Sequence, residues 1–170
     1  DLLDGGTEQV RAGQVVVATG SHAVIPDDLA AAAQREGITL HTSDTVMRLD
    51  EQPERMLVVG GGYIAMEMAH VFSAFGTEVV VSARGDRLLR HLDGDISAAF
   101  TAAAVEQWDV RLGTTVTDLR RGDDGITVTL SDGSSVVTDV VLAATGRRPS
   151  TQHMGLDLAG VEVRDDHRIV

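Results

Sequence analysis

Between Met56 and Arg90 the chain reads MLVVGGGYIAMEMAHVFSAFGTEVVVSARGDRLLR: an apolar run, a glycine cluster, a helix-period segment, a glycine stop, a second apolar run and a loop with three arginines. Few folds accept that order. Met56 to Val59 has the length and continuity of a strand buried on both faces. Gly60, Gly62 and Ala65 take the special positions of G-x-G-x-x-G/A: Gly60 for a tight turn, Gly62 for close approach of backbone to a pyrophosphate, and Ala65 for close packing of helix on strand. The helix that follows offers free N–H groups and its positive dipole end to phosphate oxygens. Ile64, Met68, Phe72 and Phe75 fall on one of its faces, and Gly76 is a natural stop. Strand, glycines, helix, stop and strand together read as a β-α-β dinucleotide site.

The end of the second strand selects the dinucleotide. A carboxylate about 20 residues past the fingerprint accepts hydrogen bonds from the ribose 2′-hydroxyl of NAD. Here Val79 to Ser82 leads into Ala83 and Arg84, while Glu78 stands at the wrong end of the strand. Arg84 and Arg90 are instead suited to a 2′-phosphate, because guanidinium groups match phosphate oxygens in bidentate geometry. At about 1.5–3 kcal/mol per charge-assisted hydrogen bond, two such contacts favour NADPH over NADH by roughly two to four powers of ten.

Charge sharpens that reading. With 14 basic and 26 acidic side chains in 170 residues, the formal net charge is −12, which argues against nucleic acid or an anionic membrane as partner. Arginines gathered beside a glycine loop are conspicuous in so acidic a chain. No apolar run approaches the roughly 18–20 residues of a membrane span, and Asp1-Leu2-Leu3-Asp4 is no signal peptide, so the expected location is cytoplasmic. The absence of cysteine excludes disulfide scaffolds, thiolate metal sites and cysteine nucleophiles within these residues. The histidines show no metal spacing, and neither a metal site nor a catalytic residue is expected. The chain starts without Met and ends on Arg168-Ile169-Val170, which reads as a piece of something longer.

Along the chain, Leu2-Leu3, Gly5-Gly6 and Glu8 to Arg11 suggest a hairpin, Gln14 to Ala18 a strand, and Leu29 to Glu36 a helix closed by Gly37. Ser43 or Asp44 is expected to cap a helical turn running to about Leu49. Asp93 is the expected cap of a helix to about Gln107, with Ile96, Ala99, Phe100 and Ala103 inward and Trp108 as a packing residue. Val110 to Leu112 would be a third parallel strand. From Thr114 the period changes to two, and turns at Gly122 to Gly125 and Asp132-Gly133 separate three strands of an antiparallel meander. Val140 to Ala144 returns as a buried strand. Val161 to Val163 and Arg168 to Val170 are possible short strands. The expected fold class is α/β: a Rossmann-like, three-layer parallel sheet carrying a three-stranded antiparallel meander.

GGGYIA-x-E at Gly60 to Glu67, the ATG turns beginning at Ala18 and Ala144, the βαβ-then-meander order and ATGRRPS at Ala144 to Ser150 resemble the FAD-dependent pyridine nucleotide–disulfide oxidoreductases of the glutathione reductase type. HTSDTVMRL at His41, AHVFSAFG at Ala69 and RGDRLLRHLD at Arg84 are most similar to the mycothione reductase branch, which keeps mycothiol reduced in actinobacteria. The resemblance implies an NAD(P)H domain, residues 23–146, inserted into an FAD domain of which residues 1–22 and 147–170 are remnants. It implies that Arg84 and Arg90 bind the 2′-phosphate of NADPH and that Ala83 stands where NADH-using members carry Glu. Tyr63 matches the aromatic gate over the flavin, Glu67 a carboxamide contact, Val116 a backbone contact near adenine and Gly146 one near nicotinamide; Ile64, within GGGYIA, is expected among the cofactor-binding residues. Thr19 and Gly20 would lie against FAD. The FAD fingerprint, the redox cysteine pair and the acid–base His-Glu pair are all outside this chain, and so is the dimerisation domain that makes such enzymes homodimers. The chain alone is then expected to bind nucleotide without catalysing. An NADH-using dihydrolipoamide dehydrogenase or transhydrogenase relative, a nucleotide-sensing module and a fragment that binds nothing are the alternatives. Val15 to Val17 and Val140 to Leu142 are expected to have lost sheet neighbours.

Overall fold

The structure, a computed structural model, describes residues 5–170. In chain order its elements are β1 (Ser21–Ala23), α1 (Asp27–Arg35), β2 (Leu40–His41), a short 3-10 turn (Val46–Arg48), β3 (Arg55–Val59), α2 (Tyr63–Ala74) and β4 (Glu78–Ala83). There follow α3 (Gly94–Gln107), β5 (Asp109–Leu112), β6 (Val116–Gly122), β7 (Gly125–Leu130), β8 (Ser135–Thr138), β9 (Val140–Ala143) and β10 (Arg147–Pro149). The chain divides into two compact units, one made of residues up to Ser21 with Pro149–Val170, the other of His22–Arg148.

The larger unit is built on a five-stranded sheet in the order β2-β9-β3-β4-β5, every pair of which is parallel. A strand inside such a sheet must bury both faces, and β3 shows how. Met56 and Val58 point into a cluster with Met66, Ala69 and Phe72 of α2 and Ala104 of α3. Leu57 and Val59 point the other way, into a cluster with Leu29 and Ala33 of α1 and Leu119, Val128 and Leu130 of the meander. Two helices, a sheet, and a meander with α1 therefore make three layers. Leu57, Val58, Val81, Val141 and Leu142 are all at 0% exposure, each worth about 1.5–3 kcal/mol of burial. The meander is antiparallel, β6 to β7 to β8.

Several expectations need correction. Val140 to Leu142 keeps both sheet neighbours, since β9 lies between β2 and β3. Gln14 to Ala18 forms no strand; Val15 and Val16 are 81% and 87% exposed, and valine's β propensity has no neighbouring strand there to pack against. Of the expected N-terminal hairpin, Leu2 and Leu3 fall outside the described residues, and Glu8 to Arg11 is irregular. Neither Ser43 nor Asp44 caps the 3-10 turn. Instead Thr42 N–H donates to Thr45 Oγ1 at 3.0 Å, and Asp44 N–H to Thr42 Oγ1 at 3.3 Å. The buried face of α2 is Ala65, Met66, Ala69 and Phe72, with Phe75 beyond the helix end and 73% exposed. On α3 the buried positions are Ser97 and Ala104, while Ile96 is 57% exposed and Ala99 and Ala103 face solvent. Asp93 does cap α3, accepting from Asp95 N–H at 2.9 Å. Trp108 is buried and donates from Nε1 to Ser73 Oγ at 3.0 Å. Val163 and Ile169 reduce the two possible final strands to one antiparallel bridge.

Candidate functional site

From β3 the chain proceeds outward to β4 and β5, whereas β9 and β2 lie on the other side of β3. Open α/β sheets bind ligands beyond the carboxyl ends of their strands at such a switch point. Gly60 leaves β3 there with φ +139°, and a Cβ on it would lie 2.2 Å from Ala144 O. Only bare backbone fits between the end of β3 and the end of β9. Gly60 N–H donates to Ser82 O, and Ala144 N–H to Val59 O, both at 2.8 Å, so the turn continues the ladders on both sides.

Gly62 has a different reason to be glycine. Its φ is −89°, yet a Cβ there would meet nothing within 4 Å, so the turn presents an open backbone surface ahead of α2. No side chain caps that helix. Its first backbone bond runs from Met66 N–H to Gly62 O at 3.1 Å, leaving the N–H groups of Tyr63, Ile64 and Ala65 without an intrahelical acceptor. Open backbone, unclaimed donors and the positive end of a 12-residue helix fit a pyrophosphate. Ala65 is at 0% exposure and Tyr63 at 60%; Ile64 is half-buried, and Glu67, one turn after Tyr63, is exposed.

The arginine loop is fastened to this turn. Leu89 N–H donates to Gly61 O at 2.7 Å. A Cβ on Gly61 would sit 3.2 Å from Ala83 Cβ and 3.4 Å from Leu88 Cδ2, so loop and turn are in van der Waals contact. On the far side Gly113 N–H donates to Gly85 O at 2.9 Å and Thr114 N–H to Ala83 O at 3.2 Å. Ala83, the last residue of β4, is buried. Arg84 and Arg90 are exposed, and among the described residues neither has a hydrogen-bond or ion-pair partner. Arg87 differs, lying 3.9 Å from Asp86.

The other expected residues are distributed more widely. Val116, half-buried, opens β6 and packs with the meander cluster, two residues after Thr114. Gly146, with φ +146°, closely follows Ala144, and its carbonyl accepts from Val24 N–H at 3.0 Å. Thr19 and Gly20 belong to the smaller unit, where Thr19 Oγ1 donates to Ser150 O at 2.7 Å. Sequence reasoning overlooked Gly61, Leu88, Ser97 and Thr101. The available signal was two hydroxyls four apart near the start of an alanine-rich helix.

Residues 1–170 match the family described as pyridine nucleotide-disulphide oxidoreductase. The chain belongs to this family. Among its curated relatives, a mycothione reductase of Mycobacterium tuberculosis is 43% identical over 163 residues, 96% of this chain and 35% of that protein. The solved structure of LpdA from the same organism matches with a TM-score of 0.80 at 27% identity, over 97% of this chain and 35% of LpdA. An engineered water-forming NADPH oxidase bound to NADPH has the same fold, with a TM-score of 0.69 at 24% identity over 86% of this chain and 33% of that one. The chain thus spans about a third of the length of the curated relatives it matches. No helix of the described residues is long and apolar enough to cross a membrane, and no group of three or more acidic or histidine side chains among them could hold a metal ion.

Proposed function

We propose that this pyridine nucleotide–disulphide oxidoreductase chain is the NADPH-binding part of a flavin-dependent disulfide reductase, with mycothiol disulfide as the substrate of the complete protein. Gly60, Gly62 and the N–H groups of Tyr63 to Ala65 hold the pyrophosphate, and Arg84 and Arg90 hold the 2′-phosphate. Tyr63 and Glu67 stand on the nicotinamide side, Gly146 supplies a backbone contact near nicotinamide, and Val116 lies toward adenine. When bound, NADPH would supply a hydride to FAD in the complete protein, and the two electrons would pass from FAD through a cysteine pair to the disulfide. Residues 1–22 and 147–170 are FAD-domain segments, with Thr19 and Gly20 on the FAD side. This chain binds nucleotide but does not turn over, and the complete protein works as a homodimer.

One observation carries the reading: two exposed guanidinium groups without partners among the described residues flank a loop bonded to the glycine turn, in a chain of net charge −12. The intervals add support. Five substitutions distinguish the engineered NADPH oxidase, and they include one to alanine, a later aspartate-to-alanine, and two to arginine, at the intervals that separate Ala65, Ala83, Arg84 and Arg90 here. The similarity to mycothione reductase favours mycothiol disulfide over other disulfides. An NADH-using relative would need a carboxylate in place of Ala83.

Parallel calorimetric titrations of the chain with NADPH and NADH test this, repeated on Arg84→Ala. The expected result is tighter binding of NADPH, reduced roughly ten- to a hundredfold by the substitution, with NADH affinity unchanged. Equal affinities would remove the phosphate clamp, and no binding of either would remove the nucleotide site.

A further inference from the structure

Ser97 and Thr101 stand one turn apart on α3 and face the arginine loop. Ser97 is 1% exposed, and its Oγ donates to Leu88 O at 2.6 Å. Thr101 Oγ1 accepts from Leu88 N–H at 3.0 Å and itself donates to Ser97 O at 2.7 Å. Both backbone groups of one loop residue are therefore taken by side chains of a single helix. Leu88, at 0% exposure, plugs against Gly61, and the next residue donates to Gly61 O. A loop carrying unpaired cations would be expected to be mobile, but this one has backbone bonds at Ala83, Gly85, Leu88 and Leu89 while Arg84 and Arg90 stay unpaired at its ends.

Resting on the NADPH reading above, we propose that Ser97 and Thr101 are positioning residues for nucleotide choice: by clamping Leu88 they hold the Arg84–Arg90 loop in its binding geometry before nucleotide arrives. Neither hydroxyl touches the nucleotide. The clamp acts on affinity by removing the cost of ordering the loop upon binding, and that cost falls on NADPH alone because only its 2′-phosphate engages the arginines. Leu89 illustrates the cost. Its φ is +50°, a conformation that a branched side chain adopts only when its surroundings impose it. Without the clamp the loop relaxes and the arginines lose their spacing, whereas the glycine turn, held by the ladders of β4 and β9, keeps its pyrophosphate site.

The test pairs Ser97→Ala and Thr101→Val with the conservative Ser97→Thr, measuring dissociation constants for NADPH and NADH by calorimetry. Each clamp-breaking variant is expected to weaken NADPH at least fivefold and NADH less than twofold, and Ser97→Thr to retain most of the preference. Parallel losses of both nucleotides, or an undiminished NADPH preference, would overturn the proposal. Arg84→Ala separates this from the reading beneath it: if that variant abolishes the preference while the clamp variants leave it intact, only the positioning role fails. Amide hydrogen exchange on the unsubstituted chain tests preformation of the loop independently, even if a variant does not fold. Leu88 and Leu89 are expected to be protected without nucleotide, and free exchange there would show the loop is not preformed.

Discussion

Gly60 and Gly62 are two residues apart, yet a methyl group added to each has a different physical consequence. At Gly60 the φ of +139° is one that side-chain-bearing residues avoid, and the new Cβ would be driven to 2.2 Å from Ala144 O. Neither strand end can retreat without breaking ladder bonds. Backbone strain and overpacking each cost about 1–3 kcal/mol, so Gly60→Ala is expected to lose several kcal/mol in urea unfolding or to fail to fold. At Gly62 the backbone is extended and the space is open. Gly62→Ala is expected to cost about 1 kcal/mol or less of stability while weakening both nucleotides tenfold or more in the same titration, because the methyl occupies the phosphate's approach. Equal stability losses in the two variants would refute this division. The glycine turn and the arginine loop were readable in the sequence because strand, glycines, helix and second strand follow one another in an order few folds accept. The Leu88 clamp was not, because nothing in a string of alanines, serine and threonine tells which hydroxyl meets which carbonyl.

Elements were legible where punctuation is strong. Gly60, Gly76, Asp93 and Gly113 bracket α2, β4, α3 and β5 nearly where they occur, since a turn's backbone requirement is local. Helix faces were legible only within one residue. On α2 the sheet is met by Ala65 and Ala69, whose smallness allows close approach, so the large Ile64 and Met68 are displaced to the flanks; on α3 the inward position goes to Ser97 because its hydroxyl has a carbonyl to satisfy. The meander's attachment was also hidden. Asp139 accepts from Arg55 N–H at 2.9 Å and from its guanidinium at 2.6 Å, and the same guanidinium donates to Asp124 O at 2.6 Å, joining β3 to the β6–β7 turn and the β8–β9 link. The hydrogen bond from Arg55 holds the Asp139 carboxyl below its ordinary value. A carboxyl whose folded value is depressed stabilises above the unfolded value, about 3.9, and loses that contribution as pH falls through the folded value. Asp139→Asn is therefore expected to unfold at lower urea concentration than the parent at pH 7, with the gap closing below about pH 4. Because both side chains are about a third exposed, screening keeps the effect modest. A gap that stays constant from neutral to acid pH would show that packing, not charge, is what the substitution removes.

At the scale of the whole molecule, the apolar core is unevenly shared. Both large apolar clusters and the complete parallel sheet belong to His22–Arg148. Among the described residues of the smaller unit, Leu156 is the only buried apolar side chain, and Val10, Val15, Val16 and Leu158 are 79% to 90% exposed. Stability follows buried apolar surface, so the cooperative unfolding of the chain should be that of the larger unit. A chain trimmed to residues 22–148 is expected to keep a single thermal transition within roughly 4 °C of the parent, since 1 kcal/mol shifts a unit of this size by about that much. It should also bind NADPH with the parent's affinity, because every side chain and backbone donor assigned to the pyrophosphate and 2′-phosphate lies inside those limits. Removing Val15 and Val16 should moreover reduce concentration-dependent association in sedimentation, as exposed β-branched segments without strand partners invite intermolecular pairing. Loss of the transition on trimming would mean that the smaller unit contributes to the fold through something other than apolar burial. A retained transition with lost NADPH binding would refute the assignment of the nucleotide site to the larger unit alone.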